Sequence, residues 1–325
     1  MCYDLHRAIL GADSMNEHLP SHRALRPRYQ RVENYHGNRF TPREARILHW
    51  VHKMRFLSRE QIQRLEFDSK SERYCRDRLR WLYDTGHLDR RRLDLGTGFG
   101  ANVPVYCLDQ MGAARVALDQ KMDPSELDWR PRDNDTNPYF MKHTLAINDF
   151  WIDVVLATRN SEFELEHWID GRTLKSKEMR DYVDDPKARS KIAIIPDGYF
   201  CILLPDKRRA CFALELDRGT VERKSWRRKI RGYIEYEKSG KYNERYGSSS
   251  LRVLTVVQAA RRAKDEGHQA RLIRNRVEAI KKWTEDQEGQ QLFWFAARMD
   301  IDPRSVLLGR IWQVAGRNGY HVLIH

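Results

Sequence analysis

Apolar positions recur with two different periods along this chain, and the change of period divides it. From Thr41 the period is helical. Thr41-Pro42-Arg43-Glu44 sets a capping threonine, a first-position proline and a reciprocal glutamate in order, and Ile47, Val51 and Met54 follow at helical spacing. Ser58-Arg59-Glu60-Gln61 repeats the capping box and opens a shorter helix with Ile62 and Leu65 inward. A third helix is expected from about Ser69 to Tyr83, stopping at Gly86. Leu88–Leu93 and Val103–Leu108 then read as two strands around Gly96-Thr97-Gly98-Phe99-Gly100, a hairpin. That loop looks like a phosphate cradle, but a dinucleotide site needs strand, loop, helix, whereas here a second strand follows. Three helices and a hairpin are the order of a winged helix-turn-helix, with the glycines at a flexible wing tip.

The flanks carry less pattern. Residues 1–40 show neither period and are expected to form an irregular basic arm. Residues 119–137 are polar, with Pro124, Pro131 and Asp133-Asn134-Asp135, and read as a linker between a domain at 41–118 and another at 138–325. From Pro138 helical and strand periods alternate in an α/β order. A helix is expected near 139–157, strands near 162–169, 192–204 and 209–217, a basic helix near 222–238, a strand at 251–257, a helix at 268–284 and a strand at 291–297. Residues 171–190 form a charged excursion between the first two strands.

Length, 325 residues, suits two domains. Net charge matters more: it is +13, and 19 Lys and Arg against 9 Asp and Glu between Ser21 and Arg92 place ten of those charges beside the helical motif. A polyanionic partner follows, and the third helix offers the means to meet it. Arg73, Arg76 and Arg80 fall on one side of that helix, away from Cys75, Leu79 and Leu82, where they could reach phosphates and guanine edges. Arg90, Arg91 and Arg92 stand at the base of the wing. DNA, duplex or in nicked or single-stranded form, is therefore the expected partner. Five cysteines without a CxxC pair suggest a reducing compartment and no disulfide framework. With no apolar run long enough for a membrane span and no signal core, a soluble, cytoplasmic protein is expected.

The second region carries candidate chemistry. The strand Ile194-Ile195-Pro196-Asp197-Gly198-Tyr199 and the strand Cys211-Phe212-Ala213-Leu214-Glu215-Leu216-Asp217-Arg218 flank the turn Pro205-Asp206-Lys207-Arg208. The midpoint of 197 and 215 lies inside that turn, so Asp197 and Glu215 should be cross-strand neighbours, and Asp217 shares a face with Glu215. Three carboxylates converging on an otherwise apolar strand pair repel unless a cation joins them. Mg²⁺, or Mn²⁺, held by Asp197, Glu215 and Asp217 suits such oxygen ligands; the alternative is that Arg218 and nearby lysines simply neutralise the acids.

A helix, three strands, a helix and a strand, with Pro-Asp on the second strand and Glu-x-(acid/Lys) on the third, resembles the restriction-endonuclease-like PD-(D/E)XK fold, which implies a central mixed sheet. More narrowly, residues 41–312 resemble the replication-relaxation family of plasmid and mobile-element proteins, related to a class of mobilisation relaxases. The residues that carry this are His143, Pro196-Asp197-Gly198, Glu215-Leu216-Asp217-Arg218-Gly219-Thr220, Trp226, Lys229, Tyr233 and Ile311-Trp312. The resemblance implies metal-dependent DNA cleavage or nicking in replication or mobilisation, with further proteins of those processes as partners and a homodimer left open. The fold's usual lysine two residues after the glutamate is Asp217 here. Lys229 stands in for it, on a helical face with Trp226, Tyr233 and Tyr236. His143 is either a phosphate-orienting helper or a packing residue, Tyr233 and Tyr236 are expected to pack, and Arg227 and Arg228 to hold phosphates. A catalytically inactive initiator or regulator, or a nucleoprotein scaffold, is the rival reading.

Overall fold

The computed structural model describes residues 29–32, 39–94, 102–159, 161–248, 250–258 and 263–324. The glycine loop and nearly all of the expected basic arm lie outside them. The first region runs α1 (Pro42–Met54), β1 (Leu57–Ser58), α2 (Arg59–Glu66), α3 (Glu72–Asp84), β2 (Leu88–Asp94), β3 (Asn102–Leu108) and α4 (Gln110–Asp119). Both capping boxes form. Glu44 does more than cap: it is fully buried, accepts the Thr41 N–H at 2.9 Å, and takes the buried Arg78 guanidinium at 2.8 Å. Burial alone would raise its carboxyl, but the Arg78 and Thr41 hydrogen bonds hold it below the usual range. Gly86 ends the α3 region with a left-handed φ of 73°.

Strands β2 and β3 pair antiparallel from Leu88↔Leu108 to Asp94↔Asn102, and β1 adds to β3 through Leu57↔Tyr106. Two elements here have no counterpart in the sequence reading, the two-residue β1 and the helix α4, which packs on α1. The polar stretch that follows is held down rather than free. Leu127 is buried, and the buried Asn134 donates to Leu108 O at 2.8 Å.

The second region is mixed α/β, as expected. It runs α5 (Pro138–Arg159), β4 (Glu164–Asp170), α6 (Gly171–Leu174), β5 (Asp181–Asp184), β6 (Lys191–Ile194), β7 (Gly198–Leu203), β8 (Arg209–Asp217), α7 (Arg223–Lys238), α8 (Lys241–Tyr246), β9 (Arg252–Val257), α9 (Glu266–Thr284), β10 (Phe293–Ala297) and β11 (Gln313–Val314). Six strands form one mixed sheet in the order β11-β10-β9-β8-β7-β4, with β9 parallel to both β8 and β10 and the other pairs antiparallel. Period-two alternation along β8 sorts the faces. Phe212, Leu214 and Leu216 join Phe150 and Val154 of α5, while Cys211 and Ala213 join Ile230 and Tyr233 of α7 and Ile273, Val277 and Ile280 of α9.

The expected single strand 192–204 is two strands in different sheets. Residues Lys191–Ile194 pair with β5, and the chain re-enters the main sheet only at Gly198. Pro196 sits at the break, where its missing N–H cannot serve a ladder. Gly198 follows because the Trp168 ring lies 2.8 Å from where a Cβ would stand.

Helix α5 also binds the two regions together. Its Asn148 amide donates to Met54 O and Phe56 O at 3.0 and 2.8 Å, and Gln61 of α2 donates to Leu145 O and Asp149. Asp153, buried in α5, pairs with Arg64 of α2 and with Arg298. One apolar cluster runs from Ile47 and Leu79 to Phe150 and Trp312. The first region is thus fixed on the second, which sets the arginine face of α3 at a defined place relative to the sheet. No helix among the described residues is long and apolar enough to cross a membrane.

The absence of disulfides expected from the cysteine count is corrected. Cys201 and Cys211 are joined by a disulfide because the β7–β8 register sets them directly opposite one another. Cys75 and Cys107 are free and buried.

Candidate active site

Asp197 lies at the break before β7 and reaches across to β8. Its N–H donates to Leu214 O at 2.9 Å and its carboxylate accepts the Leu216 N–H at 2.8 Å, so its contacts bracket Glu215. The other oxygen of Asp197 is 3.0 Å from His143 Nε2, brought by α5 from the opposite face of the sheet. Glu215 points to the α7 side. Lys229 Nζ donates to one of its oxygens at 2.6 Å and the Tyr233 hydroxyl to the other, also at 2.6 Å. The five residues Asp197, Glu215, Asp217, Lys229 and His143 line one cleft of about 160 Å³, together with Tyr139, Arg218 and Thr220. The side chains of His143, Asp197 and Lys229 keep 23%, 20% and 39% exposure, while Glu215 keeps 4%, so Glu215 is the floor and the others face the opening.

Burial raises Glu215 above the ordinary carboxyl value and outweighs the attraction of Lys229. Burial would raise Asp197 as well, but the His143 hydrogen bond and charge, Lys229 and the Leu216 N–H hold it below the ordinary value. Desolvation works to lower Lys229, and the charges of Glu215 and Asp197 reverse it, so the ammonium stays protonated. Two carboxylates pushed in opposite directions beside one fixed cation form a set whose members differ in basicity.

Asp217 is on the Glu215 face, yet both of its oxygens are taken by Arg276 of α9, at 2.8 and 3.2 Å. Arg276 also lies over the Trp283 ring and donates to Val221 O. Asp217 is 1% exposed. It therefore stands in an ion pair while lining the same cleft as Asp197 and Glu215. The sequence reading did not single out Arg276, although its place among Ile273, Val277 and Ile280 marks a cation on an inward face. Nor did it assign Tyr233 its hydrogen bond; Tyr236 instead bonds Asp181.

The arginines expected to meet DNA divide. Arg73, Arg76 and Arg92 are exposed and unpartnered among the described residues. Arg80 pairs with Asp84 at 2.8 Å and donates to Gln30 O. Arg90 is buried with its guanidinium over Tyr83 and Tyr106 at 4.4 and 5.3 Å, and Arg91 pairs with Asp89 and Asp135. The structure thus engages Arg80, Arg90 and Arg91 internally, each beside an acid or ring that helical wheel counting ignores. On α7, Arg228 reaches Asp185 and Lys191 O, and Arg227 is half-buried.

The sequence model of the replication-relaxation family matches residues 48–251, from α1 to the edge of β9. No curated protein matches the chain, and no solved structure does.

Proposed function

The chain belongs to the replication-relaxation family, whose role lies in the replication or mobilisation of plasmids and mobile elements, and from that premise we propose that it is a metal-dependent DNA endonuclease or nickase. One observation carries the reading: Lys229 delivers its ammonium to the Asp197–Glu215 pair from α7, within a cleft open to a substrate. The donor set fits a hard divalent cation, Mg²⁺ or Mn²⁺. Asp197 and Glu215 supply oxygens that each accept one hydrogen bond and keep a lone pair, and they would hold the ion. When bound, such an ion makes water nucleophilic at neutral pH and neutralises charge on a phosphodiester.

The side chains supply the rest. Lys229, already charged, stabilises the negative charge that develops on the scissile phosphate. His143 fixes the orientation of Asp197, and Tyr233 that of Glu215. Hydrolysis forms a bond from water oxygen to phosphorus, breaks one P–O bond to the sugar, and moves a proton to the leaving oxygen. Supercoiled plasmid incubated with Mg²⁺ or Mn²⁺ is expected to be nicked or linearised by the wild type and left intact by Glu215→Gln. Equal traces for the two proteins overturn the reading.

A second reading has its own observation. Glu215 is already satisfied by Lys229 and Tyr233, and Asp217 by Arg276, so the acids are stable as they stand. A DNA-binding initiator or scaffold without turnover fits that self-sufficiency, and a wild type that never cuts selects it.

In both readings Arg73 and Arg76 of α3 meet the duplex. Their joint replacement by alanine is expected to reduce the slope of log K against log salt by about two, one for each lost phosphate contact. Anisotropy titrations over a salt series measure it, and an unchanged slope in the folded variant removes α3 from the interface.

A further inference from the structure

A second cleft, of about 160 Å³, adjoins the carboxylate cleft and shares His143 and Asp197 with it. It opens between the C-terminal end of α1, one side of α5 and the β4–α6 corner. Its walls are apolar, from Met54, Phe140 and Ile147. Trp151 and Trp168 stack on each other at 4.5 Å and form its floor. They are 2% and 8% exposed, and neither indole N–H has a partner among the described residues. Buried donors of this kind ordinarily find an acceptor.

The rim is cationic. Lys53 and Lys175 carry no ion pair among the described residues, and both are exposed, with the Lys53 ammonium over the Trp151 ring at 5.4 Å from its centroid. Arg55 and Arg172 stand with them, the latter anchored on Asp128 at 2.7 Å. Apolar walls, unpaired donors in the floor, and ammonium groups without an acidic partner at the mouth are complementary to a flat heterocycle carrying acceptors and flanked by phosphates.

We propose that this cleft seats one unstacked nucleobase of the DNA strand whose neighbouring phosphate lies at Asp197 and Glu215. The proposal rests on the DNA-cleaving reading above and adds what that reading lacks, a preference for DNA form. Seating the base requires it to leave the duplex stack, so the protein favours DNA in which that step is already made: a mismatched, nicked or melted segment. Lys53 and Lys175 take the phosphates on either side of the seated base.

The test compares two labelled duplexes of the same length, one fully paired and one with a short central mismatched bubble, by anisotropy at fixed salt. The wild type is expected to bind the bubble about tenfold more tightly, the size of one well-seated base. Ile147→Trp fills the cleft and should bring the ratio of the two affinities close to one. Lys53→Glu with Lys175→Glu, both at exposed positions, should do the same. Equal binding of both DNAs by the wild type overturns the cleft assignment and leaves the DNA reading standing. A bubble preference that persists in both variants places the base elsewhere and also overturns it. Binding of neither DNA defeats the DNA reading, and the cleft assignment with it.

Discussion

Lys229→Met is expected to slow metal-dependent plasmid nicking by about 10²–10³-fold, the usual cost of removing one preorganised donor from a developing oxyanion. The methionine keeps much of the apolar stem against α7, so the loss falls on charge. The same substitution leaves Glu215 without its cation at 4% exposure. Burial already raises that carboxyl, and without Lys229 its folded value moves further above the unfolded one of about 4.3. A group raised in this way destabilises the fold once it must ionise. The stability of Lys229→Met should therefore fall as pH rises through the interval between those two values and level off above it, a dependence weaker in the wild type. Urea titrations at several pH values read it. Adding Glu215→Gln should flatten the pH dependence and restore stability, while nicking stays absent. A Lys229→Met protein that nicks at the wild-type rate removes the lysine from the chemistry. Asp217→Lys is not expected to rescue it, because the new ammonium would meet the Arg276 guanidinium.

The carboxylate pair was legible because hairpin register is arithmetic. Residues 197 and 215 share a midpoint inside the Pro205–Arg208 turn, and the contacts of Asp197 to Leu214 and Leu216 bear this out. The same midpoint belongs to 201 and 211, so the cysteine pair was equally available; counting cysteines without placing them on strands concealed it. Strand β8 was readable at its full extent because nothing in Arg209–Asp217 interrupts its alternation. The break at Pro196 was not read because apolar runs, Ile192–Ile195 and Tyr199–Leu204, lie close on either side of Pro196-Asp197-Gly198, and pattern alone joins what a missing N–H separates. Charge was read least well. Arg73, Arg80 and Arg90 look alike in sequence, but Asp84 sits one turn after Arg80, and Tyr83 and Tyr106 meet under Arg90 only once β2 and β3 are paired on α3. Partners one turn away as well as partners distant in sequence decide which cations remain free.

Asp217 is where that distinction has the largest consequence for stability. Arg276→Met is expected to destabilise the protein by about 3–5 kcal/mol, because it strands a carboxylate that is 1% exposed. The double variant Arg276→Met with Asp217→Leu removes both charges and should recover most of that loss, since an apolar pair of similar volume often replaces a buried ion pair at little cost. Denaturant midpoints of the wild type, the single variant and the double variant check it. Two outcomes argue against the ion pair as the role of Asp217: a single variant as stable as the wild type, or a double variant no better than the single. Metal response separates the three acids further. If Asp197 and Glu215 hold the ion and Asp217 only secures α9 to β8, Mg²⁺ should raise the melting temperature of the wild type and of Asp217→Asn alike. The rise should vanish in Asp197→Asn and Glu215→Gln. Asp217→Asn keeps the shape of the side chain and one acceptor for Arg276, so it loses stability without losing the metal. Were its metal response to disappear while its fold persists, Asp217 would be a ligand, and the guanidinium of Arg276 would have to leave it whenever the ion binds.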